Sequence, residues 1–351
     1  MNATAPQSAT PSDARPALFS NRITALFGIR HPILLGGMHL LGRSGLVAAV
    51  VNAGGMGFIT PRSFDDLAAY RADLRRCREL TGGRSFGVNL TLSRRPGFSR
   101  DVPAWIDIAL QEGVRHFESA GMSPEEVVGP VQAGGGVLLH KCPSVRHALS
   151  AQRLGVDAVA LVGMEEGGHP GANPLSTFTN GTVAVQRLRV PVVLGGGIGS
   201  GRQIAAALAL GAEGVVMGSR FMVATEVEMH EAVKRHIVTL DEHGSIAILA
   251  TLNDTWRVMA NATAREVQRL EAAGARRHAD FGDLILSTRT RERVYRDGKV
   301  DEGIVSLGPA GGFADAIEPA GTIVARLVDQ AREAMNALAR QWVRSGEEGN
   351  L

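Results

Sequence analysis

An α/β fold, a (β/α)8 barrel followed by a smaller, mainly helical C-terminal domain, is what this sequence predicts. Three observations carry that expectation. Apolar runs of three to six residues alternate with longer amphipathic segments from about residue 32 to residue 217. The runs number eight, more than an open doubly wound sheet normally holds. They lack the in-and-out alternation of a half-solvated sheet, as suits parallel strands buried on both faces.

Taken in order, the strand runs are 32–35, 57–60, 85–90, 116–118, 137–140, 158–162, 192–194 and 214–217. Helices are expected in the seven gaps, at 46–53, 64–80, 104–111, 124–133, 144–154, 182–188 and 203–210. Ser63 and Ser144 stand where a hydroxyl can cap the second and fifth of these. Gly113, Gly155 and Gly211 follow helical runs, where a left-handed residue often ends a helix. The barrel pattern is exhausted near residue 221, which places the barrel domain at 18–225. Residues 226–300 are expected to form a small helical domain, with helices near 230–236 and 263–273. In 301–351, a glycine-rich loop at 303–312 precedes a C-terminal helix near 322–338 that packs back on the barrel. Residues 1–17, rich in Ala, Thr, Ser and Pro, are expected to be a disordered leader, because they have neither the basic start nor the apolar core of a signal peptide.

Composition excludes several functions. A formal net charge of +2, with arginines scattered along the chain, offers nucleic acid no basic stripe. No long apolar run suggests a membrane span. The two cysteines, Cys77 and Cys142, give neither a metal-ligand spacing nor a disulfide framework, so no metal is expected and a reducing cytoplasm fits. A monomer or homodimer is expected.

Active sites in such barrels lie at the C-terminal ends of the strands. There the sequence places Gly36-Gly37-Met38 after the first run, Asn89 at the third and Lys141 after the fifth. Residues 163–171 with His169 follow the sixth, Gly195-Gly196-Gly197 the seventh and Gly218-Ser219 the eighth. Glycines at the last two positions let backbone amides approach an anion, and a helix beginning near Gly201 would add its positive end. Those glycines point to a phosphate, against the alternative that they only make tight turns. Lys141 either sets a cation beside a ligand or is a surface lysine. His169 either exchanges protons near neutral pH or only orders its own loop. Glu165 and Glu166 can bind a cofactor or cap a helix. His31, His116, His140 and His147 read as structural or exposed.

Together these motifs resemble nitronate monooxygenases, formerly called 2-nitropropane dioxygenases. The resemblance starts with His31-Pro32-Ile33, Gly36-Gly37-Met38 and Asn52-Ala53-Gly54-Gly55. It continues in order through residues 86–90, His140-Lys141-Cys142, Gly167-Gly168-His169-Pro170-Gly171, residues 195–198 and residues 217–221. It implies FMN, held without covalent attachment. Matching the motifs puts Gly36, Gly37, Met38, Asn89 and Lys141 around the flavin ring and ribityl chain, and Gly196, Gly197, Gly218 and Ser219 on the phosphate. Gly168 is also placed at the cofactor. His169 matches the histidine that deprotonates a nitroalkane or holds the substrate. The implied reaction uses O2 and gives a carbonyl compound and nitrite. The same barrel implies two alternatives: an NAD(P)H-dependent reductase of quinones or enoyl thioesters, or an FMN-binding barrel without turnover. Leu35, Val162 and Ala172-Asn173-Pro174-Leu175 depart from the family pattern.

Overall fold

A computed structural model describes residues 19–93, 95, 97–172 and 174–341. The expected leader at 1–17, residues 342–351 of the C-terminal segment, and Asn173 lie outside the described residues. Eight strands close into a parallel barrel, with β8 pairing back to β1. They are β1 (Ile33–Leu35), β2 (Met56–Ile59), β3 (Gly87–Thr91), β4 (His116–Ala120), β5 (Val137–Cys142), β6 (Ala158–Val162), β7 (Val192–Gly195) and β8 (Gly214–Met217). The expected TIM-barrel fold is therefore borne out, and all eight expected runs overlap an observed strand.

Alternate residues of each strand face opposite ways, which divides the core in two. Leu34, Met56, Phe58, Leu139, Ala158, Ala160, Val162, Val193 and Val216 fill the barrel, whereas Leu35, Val159, Leu161 and Val215 pack outward against helices. A short helix, α1 (Arg22–Phe27), plugs the N-terminal end with Ile23 and Phe27, both buried among the interior residues. Asn21 caps it through a reciprocal capping box with Thr24. The other mouth stays open for loops.

Seven helices follow the strands in the expected gaps: α2 (Ser44–Asn52), α3 (Leu67–Leu80), α4 (Val102–Gln111), α5 (Glu125–Ala133), α6 (Val145–Arg153), α7 (Thr177–Arg187) and α8 (Gly201–Ala209). Ser144 caps α6 as expected, its hydroxyl accepting from the His147 amide. Ser63 does not cap α3. It lies in a 3-10 turn (Pro61–Ser63), and the carboxylate of Asp66 accepts from the Ala69 amide instead.

Residues beyond β8 hold α9 (Glu231–Val238), α10 (Ala262–Ala272), α11 (Ser287–Arg289) running into a π-helical turn (Thr290–Arg296), and α12 (Ala320–Gln341). Where only helices are expected within 226–300, there is also an antiparallel hairpin of β9 (Ser245–Ile248) and β10 (Trp256–Met259). Ile248, Val258, Ala264, Val267 and Phe281 give this segment a small apolar core of its own. The chain then returns, and α12 packs between α8 and α2, the place of the eighth helix in the ring. Among the described residues, no helix is long and apolar enough to cross a membrane.

Candidate active site

Strands β3, β4 and β5 carry polar residues at the mouth end of the barrel, just beyond its apolar filling. Asn89 lies within β3, inside the expected run, whereas β5 runs two residues past its expected end, so Lys141 sits within the strand rather than after it. Between them lies Glu118 of β4, fully buried. Its Oε2 accepts from the Gly37 amide at 2.8 Å and from Asn89 Nδ2 at 2.6 Å. Its Oε1 has no hydrogen-bond partner and stands 4.0 Å from Lys141 Nζ. Lys141 Nζ is 3.1 Å from Glu166 Oε1. Lys141 is thus no surface lysine, and its charge is shared by two carboxylates. Burial alone would lower the Lys141 pKa, but Glu166 and Glu118 outweigh it and raise it. Burial raises the Glu166 pKa, Glu118 adds to that, and Lys141 offsets only part of the rise. Gly37 leaves no room for a side chain: a Cβ there would lie 2.2 Å from Asn89 Cγ.

At the ends of β7 and β8 the backbone forms a partly exposed cradle. Gly196 and Gly197 adopt φ of +92° and +73°, which L-residues with a Cβ rarely reach. Among the described residues, the amides of Gly197, Gly218 and Ser219 donate to no protein acceptor. Met38 reaches this cradle from the β1 loop, its Sδ 3.6 Å from where a Cβ on Gly218 would stand. Thr177 Oγ1 lies 2.8 Å from the carbonyls of both Gly195 and Gly196 and ties the loop to α7. Arg220, buried behind the cradle, pairs with Glu318 at 3.2 Å. The start of α8 contributes less than the sequence suggests. Three amides at its threshold are already taken, those of Gly199 and Ser200 by Gln203 Oε1 and that of Gly201 by Gln330 Oε1 of α12.

His169 stands above, in the loop after β6. Gly168, at φ +106°, exchanges two backbone hydrogen bonds with Arg257 of β10, at 3.0 and 2.7 Å. This bridge docks the hairpin onto the loop. The half-exposed His169 ring stacks on Trp256 with 5.1 Å between centroids. Its pKa is lowered, first by the protein crowding around it and then by Arg95, while the Asp254 carboxylate opposes the shift. His140 faces the helices, its Nδ1 2.9 Å from Ser119 Oγ, and burial pushes its pKa down to about 4, which fits a structural role.

Of the departures, Val162 faces the barrel interior, whereas Leu35 is buried on the helix side and does not border the mouth. Sequence reasoning missed Glu118, Asp254, Trp256 and Arg257 as site residues. Glu118 carried a signal, an acid inside a strand run that would be buried on both faces. The other three lie in a segment read as helical.

The family model described as nitronate monooxygenase matches residues 20–330. The chain belongs to that family. A Rhodococcus jostii (strain RHA1) protein named (3aS,4S,5R,7aS)-5-hydroxy-7a-methyl-1-oxo-octahydro-1H-indene-4-carboxyl-CoA dehydrogenase is 33% identical over 212 residues, 60% of this chain and 58% of that one. The match therefore spans under two thirds of that relative. A probable nitronate monooxygenase of Staphylococcus aureus (strain Newman) is 27% identical over 72% of this chain and 81% of its own. Among solved structures, FabK from Thermotoga maritima superposes with a TM-score of 0.82 at 29% identity, over 92% of this chain and 99% of its own.

Proposed function

We propose that this nitronate monooxygenase family member is an FMN-dependent oxidoreductase that converts nitronates or nitroalkanes, with O2, to carbonyl compounds and nitrite. The observation that carries it is the cradle of amides at Gly197, Gly218 and Ser219, which donate to no protein acceptor among the described residues and open beside Met38 and the interior polar group of Asn89, Glu118 and Lys141. An anion the size of a phosphate satisfies such amides. The residues present therefore fit FMN. Gly196, Gly197, Gly218 and Ser219 would hold its phosphate. Gly36, Gly37, Met38, Asn89, Lys141 and Gly168 would surround the ring and ribityl chain. Bound FMN would supply the acceptance of electrons from the nitronate and their delivery to O2.

His169 is the proton-handling group of this proposal. Its lowered pKa keeps the imidazole neutral at pH 7, so a ring nitrogen can accept the α-proton of a nitroalkane. Alternatively it donates to the nitronate oxygens. His169→Asn should lose about 10²–10⁴-fold in kcat/KM on neutral nitroalkanes and keep its FMN. Pre-formed nitronates should rescue the variant if the role is deprotonation. Unchanged turnover on both substrate forms would remove His169 from the mechanism. The dehydrogenase name of the Rhodococcus relative favours a second reading, a reductase fed by a nicotinamide. Anaerobic bleaching of the flavin by NADH or NADPH, and not by nitronates, would establish it in place of the first.

A further inference from the structure

We propose that Asp254 is a positioning residue for His169, fixing which edge of the imidazole faces the substrate. This rests on His169 being the site histidine.

Stacking on Trp256 sets the plane of the His169 ring, with 18° between the two planes. Trp256 is itself held, its Nε1 donating to Ser306 Oγ at 2.8 Å. Stacking alone does not choose between the two ring nitrogens. Asp254, two residues before Trp256, does so: its Oδ1 stands 3.8 Å from His169 Nε2. A carboxylate facing Nε2 favours the tautomer protonated there and leaves Nδ1 as the proton acceptor.

Asp254 is held ready for this by two other elements. Arg95, in the loop after β3, donates to its Oδ2 at 2.9 Å. His278, in a 3-10 turn (His278–Phe281), places Nε2 3.1 Å from the same oxygen. Oδ2 is therefore engaged and Oδ1 is left toward His169. Burial pushes the Asp254 pKa up, but His278, His169 and Arg95 outweigh it, so the carboxyl stays ionised through the neutral range. The remaining charged neighbours are turned elsewhere. Arg257 Nε donates to the Met164 carbonyl at 2.8 Å, and Glu165 accepts from the Thr177 amide at 2.9 Å. Asp254 is thus the anion that acts on the His169 ring, and Arg95 the opposing cation.

Asp254→Asn keeps the shape and an acceptor for Arg95 but removes the charge. The test is an NMR titration of the His169 ring in the flavin-loaded protein, its signal assigned by loss in His169→Asn. At 3.8 Å and half-exposed, a charge is worth about 1 kcal/mol, close to the aqueous limit, so proton affinity should fall about fivefold. The acidic limb of kcat/KM on neutral nitroalkanes should move to lower pH by the same factor. Asp254→Glu, which restores the charge, should return the midpoint toward that of the wild type and serves if the Asn variant folds poorly. An unchanged His169 midpoint in Asp254→Asn would overturn the proposal, even if Tm fell. The titration needs no substrate. A midpoint that moves in a protein inactive on nitroalkanes would keep Asp254 in its role and reject the nitroalkane reading.

Discussion

Replacing Lys141 with methionine takes the cation from between the buried Glu118 and the largely buried Glu166 at little cost in side-chain length. Nζ lies 3.1 Å from Glu166 Oε1 and 4.0 Å from Glu118 Oε1. At an effective dielectric constant of about 20, these separations correspond to attractions of about 5 and about 4 kcal/mol. Desolvation of the ammonium offsets much of that, and removing one partner from a buried ion group costs about 3–5 kcal/mol net. Tm should therefore fall by on the order of 10 °C at pH 8. The pH dependence is the sharper part. Glu166 already titrates above its ordinary value of 4.5, through burial and Glu118, and the variant loses the one group that opposes this. Folding then favours the protonated carboxyl. That stability is fully present below the unfolded pKa and is lost as pH rises through the higher folded one. The deficit of Lys141→Met against the wild type should thus be largest at pH 8 and narrow toward pH 5. Thermal denaturation of both proteins across that range measures it. A deficit independent of pH, or none, would refute the coupling of these three charges.

Two further substitutions probe the scaffold. Gly37→Ala would press a methyl 2.2 Å from Asn89 Cγ and break the Asn89–Glu118 hydrogen bond, so about 3–5 kcal/mol of stability and most FMN affinity should be lost, measured by denaturation and flavin titration. Phe27→Ala empties the plug beneath Phe58, whose ring it meets edge-on at 6.2 Å, and should cost about 3–5 kcal/mol while leaving FMN affinity nearly unchanged, because the plug is at the opposite end of the barrel.

The barrel was legible because strands buried on both faces read as plain apolar runs. For β6 and β8 the expected and observed limits coincide. The start of α7 was not. It begins at Thr177 rather than 182, through a stretch containing Gly181, a poor helix former. Packing overrides that preference, since a Cβ at Gly181 would stand 2.6 Å from Leu194. The hairpin was missed because β9 and β10 offer only four residues each, too few for alternation to stand out, and its bend needs Leu249 and Asn253 at φ of +57° and +52°. The mouth residues could be found one by one from their positions after strands. Their partnerships could not. Glu118 meets residues 81 and 29 positions away, and Asp254 gathers Arg95, His278 and His169 from three separate segments.

The most direct test is whether the purified protein carries flavin. The wild type should be yellow and release FMN, free of covalent attachment, on denaturation. Gly197→Val, which puts a branched side chain at φ +73° in the cradle, should be recovered folded and colourless, with binding of added FMN weakened at least a hundredfold. A wild-type protein that is colourless and takes up no added FMN would contradict the proposal at its root.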